Sequence, residues 1–315
     1  VATATAEVRD LGFFCGNGVK AKSAVKLTYG SSGTASSEAP PWVSVHSIVI
    51  SAYIYGASDA GFWNGVDLYN IWKGSVYDIS GVGCIKGGNS VPIGTVDGTY
   101  PNGQPETTPG SGALIKVTGG QNISLSNISG SYWKRGFWFA TASGFIGVQG
   151  ITATAFNFVA IQAAVYFDKT TEFVGGNTFT NFLIDQGNAD NGSIQNFGFY
   201  FPKGSHSASG TLCISSGWIT QINTSSAGSA AICIEGYRNM VSNVIVYASV
   251  NAVILGIPVS GSTTPTTEKN LFNGNDFGGG PISLLNCTDC QFNNTGTSSW
   301  TDTSGSGNSH ITTLF

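Results

Sequence analysis

The chain has 315 residues, of which only 10% are charged, and its net charge is −4. Its longest basic run is Lys134-Arg135, so the composition argues against nucleic-acid binding, which usually leaves a Lys/Arg patch. No stretch of about 20 apolar residues occurs, and we therefore expect no membrane span.

The first segment, VATATAEVRDLGFF, lacks the basic region and long apolar core of a signal peptide, and it lacks an initiator Met. We expect a mature or excised fragment. Strand–turn–strand units follow in WVSVHSIVIS (42–51), NGVDLYNIWKGSVYDISG (64–81) and ALIKVTGGQ (113–121). Between the last two, residues 89–112 hold four of the ten prolines, which predicts a loop inserted in a turn.

Two strand motifs then alternate along the chain. The first is a small residue followed by an apolar–variable–apolar–variable pattern. It occurs as GVDLY (65–69), GFWFA (136–140), AVYFD (164–168), GFYFP (198–202), AICIE (231–235) and AVILG (252–256). The second occurs as NISLSNISG (122–130), GITATAFNF (150–158), NTFTNFLID (177–185), TLCISSGWI (211–219) and NMVSNVIVY (239–247), and a shortened copy is NLFNGNDFG (270–278). Starts of the second motif lie 28, 27, 34, 28 and 31 residues apart.

This superperiod predicts an all-β fold, a right-handed parallel β-helix of roughly 28-residue coils. Short strands cannot each bury a face alone, whereas stacked coils bury a continuous core. Sustained helical spacing is absent, which argues against an α/β fold with helical crossovers. A β-sandwich predicts strand spacings of about 8–12 residues without a longer period. We therefore assign residues 1–290 to the β-helix and residues 291–315 to a C-terminal cap or a tail that contacts partner chains.

Asparagines at predicted turn corners suit left-handed backbone geometry or ladders between coils. These are Asn122, Asn177, Asn239 and Asn270. Cys287 and Cys290 have a C-x-x-C spacing, but no second pair or nearby His completes a zinc site. We assign all six cysteines structural roles, leaving an adventitious 287–290 disulfide open. We expect no metal and no cofactor.

The strands GFWFA and NISLSNISG resemble those of the pectate-lyase-like right-handed β-helix superfamily, and most of all bacteriophage tailspike and tail-fibre depolymerases. The resemblance covers residues 42–290, and no pectate-lyase calcium or arginine motif is present. It implies a homotrimer in the virion tail or outside the cell. It also implies that the trimer binds, and often cleaves, a capsular polysaccharide or exopolysaccharide of a bacterium.

The first motif predicts which side chains face away from the core, because alternate residues of a strand point to opposite faces. Positions two and four are apolar, so positions three and five point outward. Position three gives an aromatic ladder of Trp138, Tyr166 and Tyr200, expected on the solvent side. Such rings suit either sugar binding or a covered interface. Trp133, Lys134 and Arg135 are further substrate-binding candidates, because a cationic pair suits an anionic sugar; the alternative is a solvated turn.

Position five places Asp168 and Glu235 on one ladder, two coils apart. Two strand spacings amount to roughly 9.6 Å, and inverting glycosidases hold their carboxyl groups about 6.5–9.5 Å apart. One acid would protonate the leaving oxygen and the other would activate water. Glu172 is a third catalytic candidate, and Asp67 with Asp78 could form a second site. The alternative is that all are solvated surface carboxylates.

Three hypotheses remain open on the sequence. The chain is a polysaccharide depolymerase, with a glycosidase favoured over a lyase; or a glycan-binding receptor protein or adhesin without catalysis; or a structural β-helical spacer. The aromatic ladder favours the first two, and the carboxylate ladder favours the first.

Overall fold

The computed structural model describes residues 5–15, 20–29, 42–51, 61–83, 112–140, 147–168, 175–186, 196–201, 211–220, 228–247, 249–256, 267–278, 280–296, 299–303 and 307–312. These residues form 24 strands and, within the same ranges, no helix. The strands build three sheets of 11, 10 and 3 strands, which we call sheets 1, 2 and 3.

Sheet 1 contains β1 (Thr5–Phe14), β3 (Trp42–Ser51), β5 (Gly74–Val82), β7 (Ile123–Ser131), β9 (Thr152–Val159), β11 (Asn177–Asp185), β13 (Leu212–Thr220), β16 (Met240–Tyr247), β19 (Leu271–Asp276), β22 (Gln291–Thr295) and β24 (Ser309–Thr312). Sheet 2 contains β2 (Lys20–Thr28), β4 (Gly61–Ile71), β6 (Ala113–Gly120), β8 (Arg135–Ala140), β10 (Ala163–Phe167), β12 (Phe197–Phe201), β14 (Ala230–Ile234), β17 (Val253–Leu255), β20 (Ile282–Leu284) and β23 (Trp300–Asp302). Sheet 3 contains β15 (Gly236–Tyr237), β18 (Thr267–Glu268) and β21 (Cys287–Thr288).

The chain alternates between sheets 1 and 2, and each strand pairs in parallel with its equivalent one coil earlier and one coil later. One strand of each sheet therefore makes one rung, and the rungs stack along an axis. This is the right-handed parallel β-helix that the sequence predicted. The resemblance covered residues 42–290, but the coil extends beyond both ends of that range. It begins at β1 and β2, and it continues past Cys290 through β22, β23 and β24. Of the expected insertion at 89–112, only Gly112 belongs to the described residues.

Eight strands of sheet 1, namely β1, β3, β5, β7, β9, β11, β13 and β16, each bend at one residue in the left-handed conformation. In β7 this is Asn127, with φ 51°. The bend breaks the alternation, so Ser126 and Asn127 both face outward while Ile128 returns to the core. Equivalent positions in the other strands have φ of 53° to 56°; they are Asp10, Ser47, Asp78, Ala155, Asn181, Ser216 and Asn243. We call this row the bend ladder. It folds sheet 1 around the core.

The core explains the small first residue of the recurring motif. Position one faces the interior, where a Cβ at Gly65 would lie 2.5 Å from the Leu114 carbonyl oxygen, and one at Gly136 would lie 2.6 Å from that of Ala164. The space is filled by phenylalanines from both sheets, as in the Phe137–Phe158 pair with ring centroids 4.9 Å apart. A large side chain does not fit at Gly65 or Gly136, opposite such close backbone.

Three of the four predicted corner asparagines, Asn177, Asn239 and Asn270, are buried where their rungs enter sheet 1, whereas Asn122 is exposed and has the left-handed φ of 51°. The Asn177 carboxamide accepts the Ile151 amide at 2.9 Å, and that of Asn239 accepts the Leu212 amide at 3.0 Å. Asn270 in turn accepts the Asn239 amide at 2.7 Å. Each bond satisfies a buried backbone donor of the neighbouring rung, which would otherwise carry a desolvation cost.

Cys290 occupies the next position of this corner row, between Asn270 and Asn308. Its backbone amide donates to Asn308 Oδ1 at 3.1 Å, and Asn270 Nδ2 lies 3.7 Å from its Sγ. A hydrogen bond from Cys287 lowers the pKa of the Cys290 thiol, with Asn270 assisting against the opposing effect of burial. Cys15, Cys213, Cys233, Cys287 and Cys290 are all free thiols, and Cys84 lies outside the described residues.

Candidate functional site

The register of sheet 2 places the predicted aromatic ladder on one wall. Tyr166 pairs with Trp138 on one side and with Tyr200 on the other. The predicted alignment is therefore confirmed. The same ladder begins with Lys26, Asp67 and Lys116 and continues to Cys233 and Ile254. Charged residues thus give way to aromatic rings along a single row.

The expectation that these rings face solvent is wrong. Trp138 and Tyr166 are 1% exposed and Tyr200 is 7% exposed within the single chain. They point away from the central core, but they form a second apolar cluster. Its other members include Ala163 and Phe197, which lie opposite each other on β10 and β12. The pleat fixes the direction of a side chain, while other parts of the molecule decide whether solvent reaches it. The predicted alternative, a covered wall, is the observed one.

Arg135 links the rings of this wall. Its guanidinium carbon lies 4.5 Å from the Trp138 ring centroid and 4.4 Å from that of Tyr166. Lys116 Nζ is 4.1 Å from the same Trp138 centroid, and Tyr166 and Tyr200 stack at 5.3 Å. Cations over aromatic faces are stabilised electrostatically, more strongly when desolvated. Arg135 is fully buried, so the alternative interpretation of this segment as a solvated turn is wrong.

The neighbours of Arg135 are placed differently. Trp133 belongs to the central core rather than to the outward wall, so its side chain is not part of the aromatic ladder. Lys134 is fully buried, with Nζ 5.8 Å from the Trp63 ring centroid. The chain turns a corner just before β8. Trp133 therefore packs in the central core, Lys134 lies near Trp63, and Arg135 packs on the aromatic ladder.

The predicted acid pair shares one ladder. The Asp168 amide donates to the Phe139 carbonyl at 2.8 Å, and the Glu235 amide donates to the Phe201 carbonyl at 2.7 Å. With Tyr166 opposite Tyr200, these bonds put the two acids two rungs apart. Their Cα separation is therefore roughly 9.6 Å. Glu172 lies outside the described residues.

Both acids are covered rather than solvated, with Asp168 4% and Glu235 5% exposed. Burial and the nearby Glu235 carboxylate raise the pKa of the Cys233 thiol, which keeps that thiol protonated. Asp67 and Asp78, the suggested second site, are not brought together. Asp67 lies on the wall of sheet 2, 4.0 Å from Lys26 Nζ, and Asp78 lies on the bend ladder of sheet 1, where it accepts Asn127 Nδ2 at 2.6 Å.

Sequence reasoning missed an open groove on the outer face of sheet 1. It has a volume of about 170 Å³, and its polar groups come from Ser80, Ser129, Ser131 and Asn157. The ladder through Ser80, Ser129 and Asn157 continues in the next three rungs as Leu183, Trp218 and Ile245. Trp218 is 50% exposed, and Tyr247, on the adjacent ladder, is 65% exposed. We call this surface the sheet 1 groove.

The signal for the sheet 1 groove was present in TLCISSGWI and NMVSNVIVY but could not be read by simple alternation. Counting in twos from Ile214 puts Trp218 inside. The left-handed residue Ser216 shifts the phase by one, so Trp218 points out and Ile219 points in. Asn243 does the same for Ile245.

No group of three or more His, Cys, Asp or Glu side chains that could hold a metal ion occurs in the described parts of the chain. The same ranges contain no helix long and apolar enough to cross a membrane. Comparison with protein-family models, with curated proteins and with solved structures gave no match to this chain.

Proposed function

We propose that this protein binds a bacterial surface polysaccharide along the sheet 1 groove. One observation carries the proposal: a row of Ser and Asn side chains continues on the same ladder, through the partly exposed Leu183, to the exposed Trp218 ring. Hydroxyl and carboxamide groups hydrogen-bond sugar hydroxyls, and an exposed ring packs against the apolar face of a pyranose. The bacterial source of the glycan rests on the resemblance to phage tailspikes.

The geometry of the groove suits a polymer rather than a single sugar. Equivalent groups repeat at about 4.8 Å along the coil axis. From Ser80 to Ile245 the ladder passes through six rungs, so it spans roughly 24 Å. Several consecutive sugar units fit that length.

The test compares exposed side chains on the same sheet. Trp218→Ala and Tyr247→Ala should each weaken binding to the recognised polysaccharide by about tenfold, equivalent to about 1.4 kcal/mol. Binding is measured by calorimetry against a panel of purified bacterial capsular and extracellular polysaccharides. The matched control is Met240→Ala, because Met240 is exposed on β16 but lies on the other side of the bend. Equal affinities for Trp218→Ala and the control would contradict the proposal.

A second candidate function is cleavage of the same glycan by Asp168 and Glu235. The shared ladder favours it, because the Cα separation of roughly 9.6 Å is close to the distance of about 6.5–9.5 Å between the carboxyl groups of inverting glycosidases. Both acids are buried, so cleavage, unlike binding, requires this wall to open. The alternative is a glycan-binding protein without catalysis.

Incubation with a bound polysaccharide separates these cases. New reducing ends indicate a hydrolase, new reducing ends with absorbance of an unsaturated uronate indicate a lyase, and neither product indicates a binder. Asp168→Asn and Glu235→Gln should abolish hydrolysis while Asp185→Asn, an acid on sheet 1, leaves it intact. Turnover that survives both wall substitutions would rule out this acid pair.

We also propose, from the resemblance, that the protein is a homotrimer of the virion tail. Analytical ultracentrifugation measures this directly, and a monomer at micromolar concentration would contradict it.

A further inference from the structure

Three polar side chains form a chain of hydrogen bonds near the first rungs of sheet 1. His46 Nε2 lies 3.0 Å from Glu7 Oε1, and His46 Nδ1 lies 3.3 Å from Ser47 Oγ. Glu7 comes from β1, and the other two residues come from β3. These residues are far from the sheet 2 wall and from the exposed rings of the sheet 1 groove.

The bend ladder makes this arrangement possible. In a regular strand, adjacent side chains point to opposite faces, so His46 and Ser47 could not meet. Ser47 has φ 56°, which turns both side chains to the outside. The imidazole is fixed from a second side by Tyr77, whose ring stacks on it at 4.5 Å with planes 5° apart.

The direction of each hydrogen bond follows from the chemistry of the acid. Hydrogen bonding to His46, with the charge of Arg9 assisting, lowers the pKa of Glu7, so its carboxylate only accepts. His46 Nε2 must then carry the proton. In the neutral imidazole Nδ1 is left with a lone pair, and it accepts the Ser47 hydroxyl proton. The result is a relay from serine through imidazole to carboxylate.

We propose that Ser47, His46 and Glu7 form a serine esterase site, an activity independent of glycan binding. The same relay of nucleophile, base and orienting acid recurs on unrelated folds. Here the roles of the two imidazole nitrogens are interchanged, with Nδ1 as the base. Ser47 and His46 are the catalytic residues, and Glu7 is a positioning residue.

The reaction proceeds in two balanced steps. Ser47 Oγ bonds to the ester carbonyl carbon while its proton moves to His46 Nδ1; the carbonyl–alkoxy bond then breaks, and the alkoxide leaves with that proton. Water then attacks the acyl-serine, giving its proton to Nδ1, and the carboxylic acid leaves as Ser47 recovers the proton. Arg9 pairs with His46 in register, and its Nε lies 3.8 Å from Glu7 Oε2 and 3.8 Å from Asp10 Oδ2, so it helps to hold the carboxylate that orients His46.

The charges around Ser47 define the substrate class. Asp10 and Asp78 occupy the bend ladder on either side of Ser47, one rung away each. Arg9 offsets the charge of Asp10, since its Nε lies 3.8 Å from Asp10 Oδ2. The Asp78 carboxylate is instead bonded to the neutral Asn127 carboxamide, and it repels an anionic substrate. The site therefore takes small uncharged esters, such as the acetyl esters that decorate sugars, in preference to esters that carry a carboxylate.

A fluorophosphonate probe tests the nucleophile, because it forms a covalent adduct only with an activated serine. Peptide mass spectrometry of the labelled full chain should locate one adduct at Ser47, and none in Ser47→Ala or His46→Asn. The matched control is Ser44→Ala, since Ser44 Oγ lies 3.4 Å from Ser75 Oγ on the same strand face and has no imidazole partner. Absence of an adduct at Ser47 in the wild type would overturn the proposal.

Hydrolysis of p-nitrophenyl acetate gives the second readout. Ser47→Ala should lower the rate by about 100-fold, within the range for loss of acid–base assistance. Ser47→Gly is the companion variant, because glycine adopts the left-handed backbone readily and keeps the bend. Glu7→Gln should lower kcat by about tenfold and leave KM unchanged. Wild-type turnover in Ser47→Gly, with an unchanged melting temperature, would contradict the assignment of Ser47 as the nucleophile.

Discussion

The two large sheets present outward faces of opposite character. On sheet 2 the outward residues Trp138, Tyr166 and Tyr200 are buried, together with Arg135 between the rings. On sheet 1 the outward residues Trp218 and Tyr247 are exposed beside serines and asparagines. The sheet 2 residues follow simple inside–outside alternation, and the sheet 1 residues point outward because a left-handed residue shifts that alternation by one. Pointing away from the coil is therefore not the same as being exposed to solvent.

We therefore expect the outward face of sheet 2 to contribute mainly to stability and the outward face of sheet 1 mainly to recognition. The covered wall of sheet 2 acts as a second core, where rings and cations pack away from water. The open face of sheet 1 keeps its polar groups available. Substitutions of the same chemistry on the two faces should therefore have different consequences. The first prediction below tests this directly, and the other three concern buried and exposed positions of sheet 1.

Tryptophan removal should show the largest contrast. Trp138→Ala removes a buried ring that contacts Lys116 and Arg135, so we expect the free energy of unfolding to fall by about 3–5 kcal/mol. Trp218→Ala removes a half-exposed ring and should change it by less than about 0.5 kcal/mol. Urea denaturation followed by circular dichroism measures both. Similar losses for the two variants would erase the distinction between the faces.

Carboxamide removal should give an intermediate contrast. Asn239→Ala leaves the buried Leu212 amide without its acceptor, which should cost about 1–3 kcal/mol. Asn273→Ala removes an exposed bond with Asn293 Nδ2, and its effect should stay within about 0.5 kcal/mol. Hydrogen exchange at Leu212 should also accelerate only in the first variant. Protection of Leu212 retained in Asn239→Ala would argue against the corner row as a structural support.

The bend ladder offers a stabilising change on the open face. Ala155 holds φ 53° between Asn127 and Asn181 on the neighbouring rungs. Asparagine tolerates this conformation better than alanine, so Ala155→Asn should raise the free energy of unfolding by about 0.5–1 kcal/mol. Thr154→Asn, one residue earlier and outside the bend ladder, serves as the control. An equal gain in the control would mean that the bend is not the cause.

The smallest effect concerns pH at the exposed edge of sheet 1. The folded protein holds the pKa of Glu7 below its ordinary value of 4.5, first through the hydrogen bond with His46 and then through the charge of Arg9. Because the folded-state pKa is depressed, Glu7 stabilises the fold above about pH 4.5 and loses that contribution as the pH falls through the folded value. The melting temperature of Glu7→Gln should therefore fall less than that of the wild type between pH 6 and pH 3. Curves of melting temperature against pH that run parallel for Glu7→Gln and the wild type would contradict the contact between Glu7 and His46.

The sequence was sufficient for the fold because the repeat reports packing directly. Gly65 and Gly136 mark where backbone approaches too closely for a Cβ, and the buried asparagines mark the corners. The alignment of Trp138, Tyr166 and Tyr200 followed from the same repeat, since equal positions in successive coils must stack. These properties depend on local sequence and on the neighbouring coil alone.

The exposure of the site was not predictable in the same way. The cover over Trp138 depends on contacts that no strand pattern encodes. The exposed position of Trp218 depends on one left-handed residue, Ser216, which looks like an ordinary serine in the sequence. The Glu7–His46–Ser47 relay escaped notice for the same reason, since adjacent side chains meet only at a bend.

The unequal lengths between rungs have a consequence for how such a molecule changes over evolutionary time. Asp78 and Asn127 are neighbours on the bend ladder although 48 residues separate them in sequence, whereas only 25 separate Ala155 from Asn181. The register between neighbouring strands of sheet 1 is thus independent of the length of the loop that connects the rungs. A whole turn can be duplicated or deleted, lengthening or shortening the rod by about 4.8 Å, while the surfaces on either side keep their alignment.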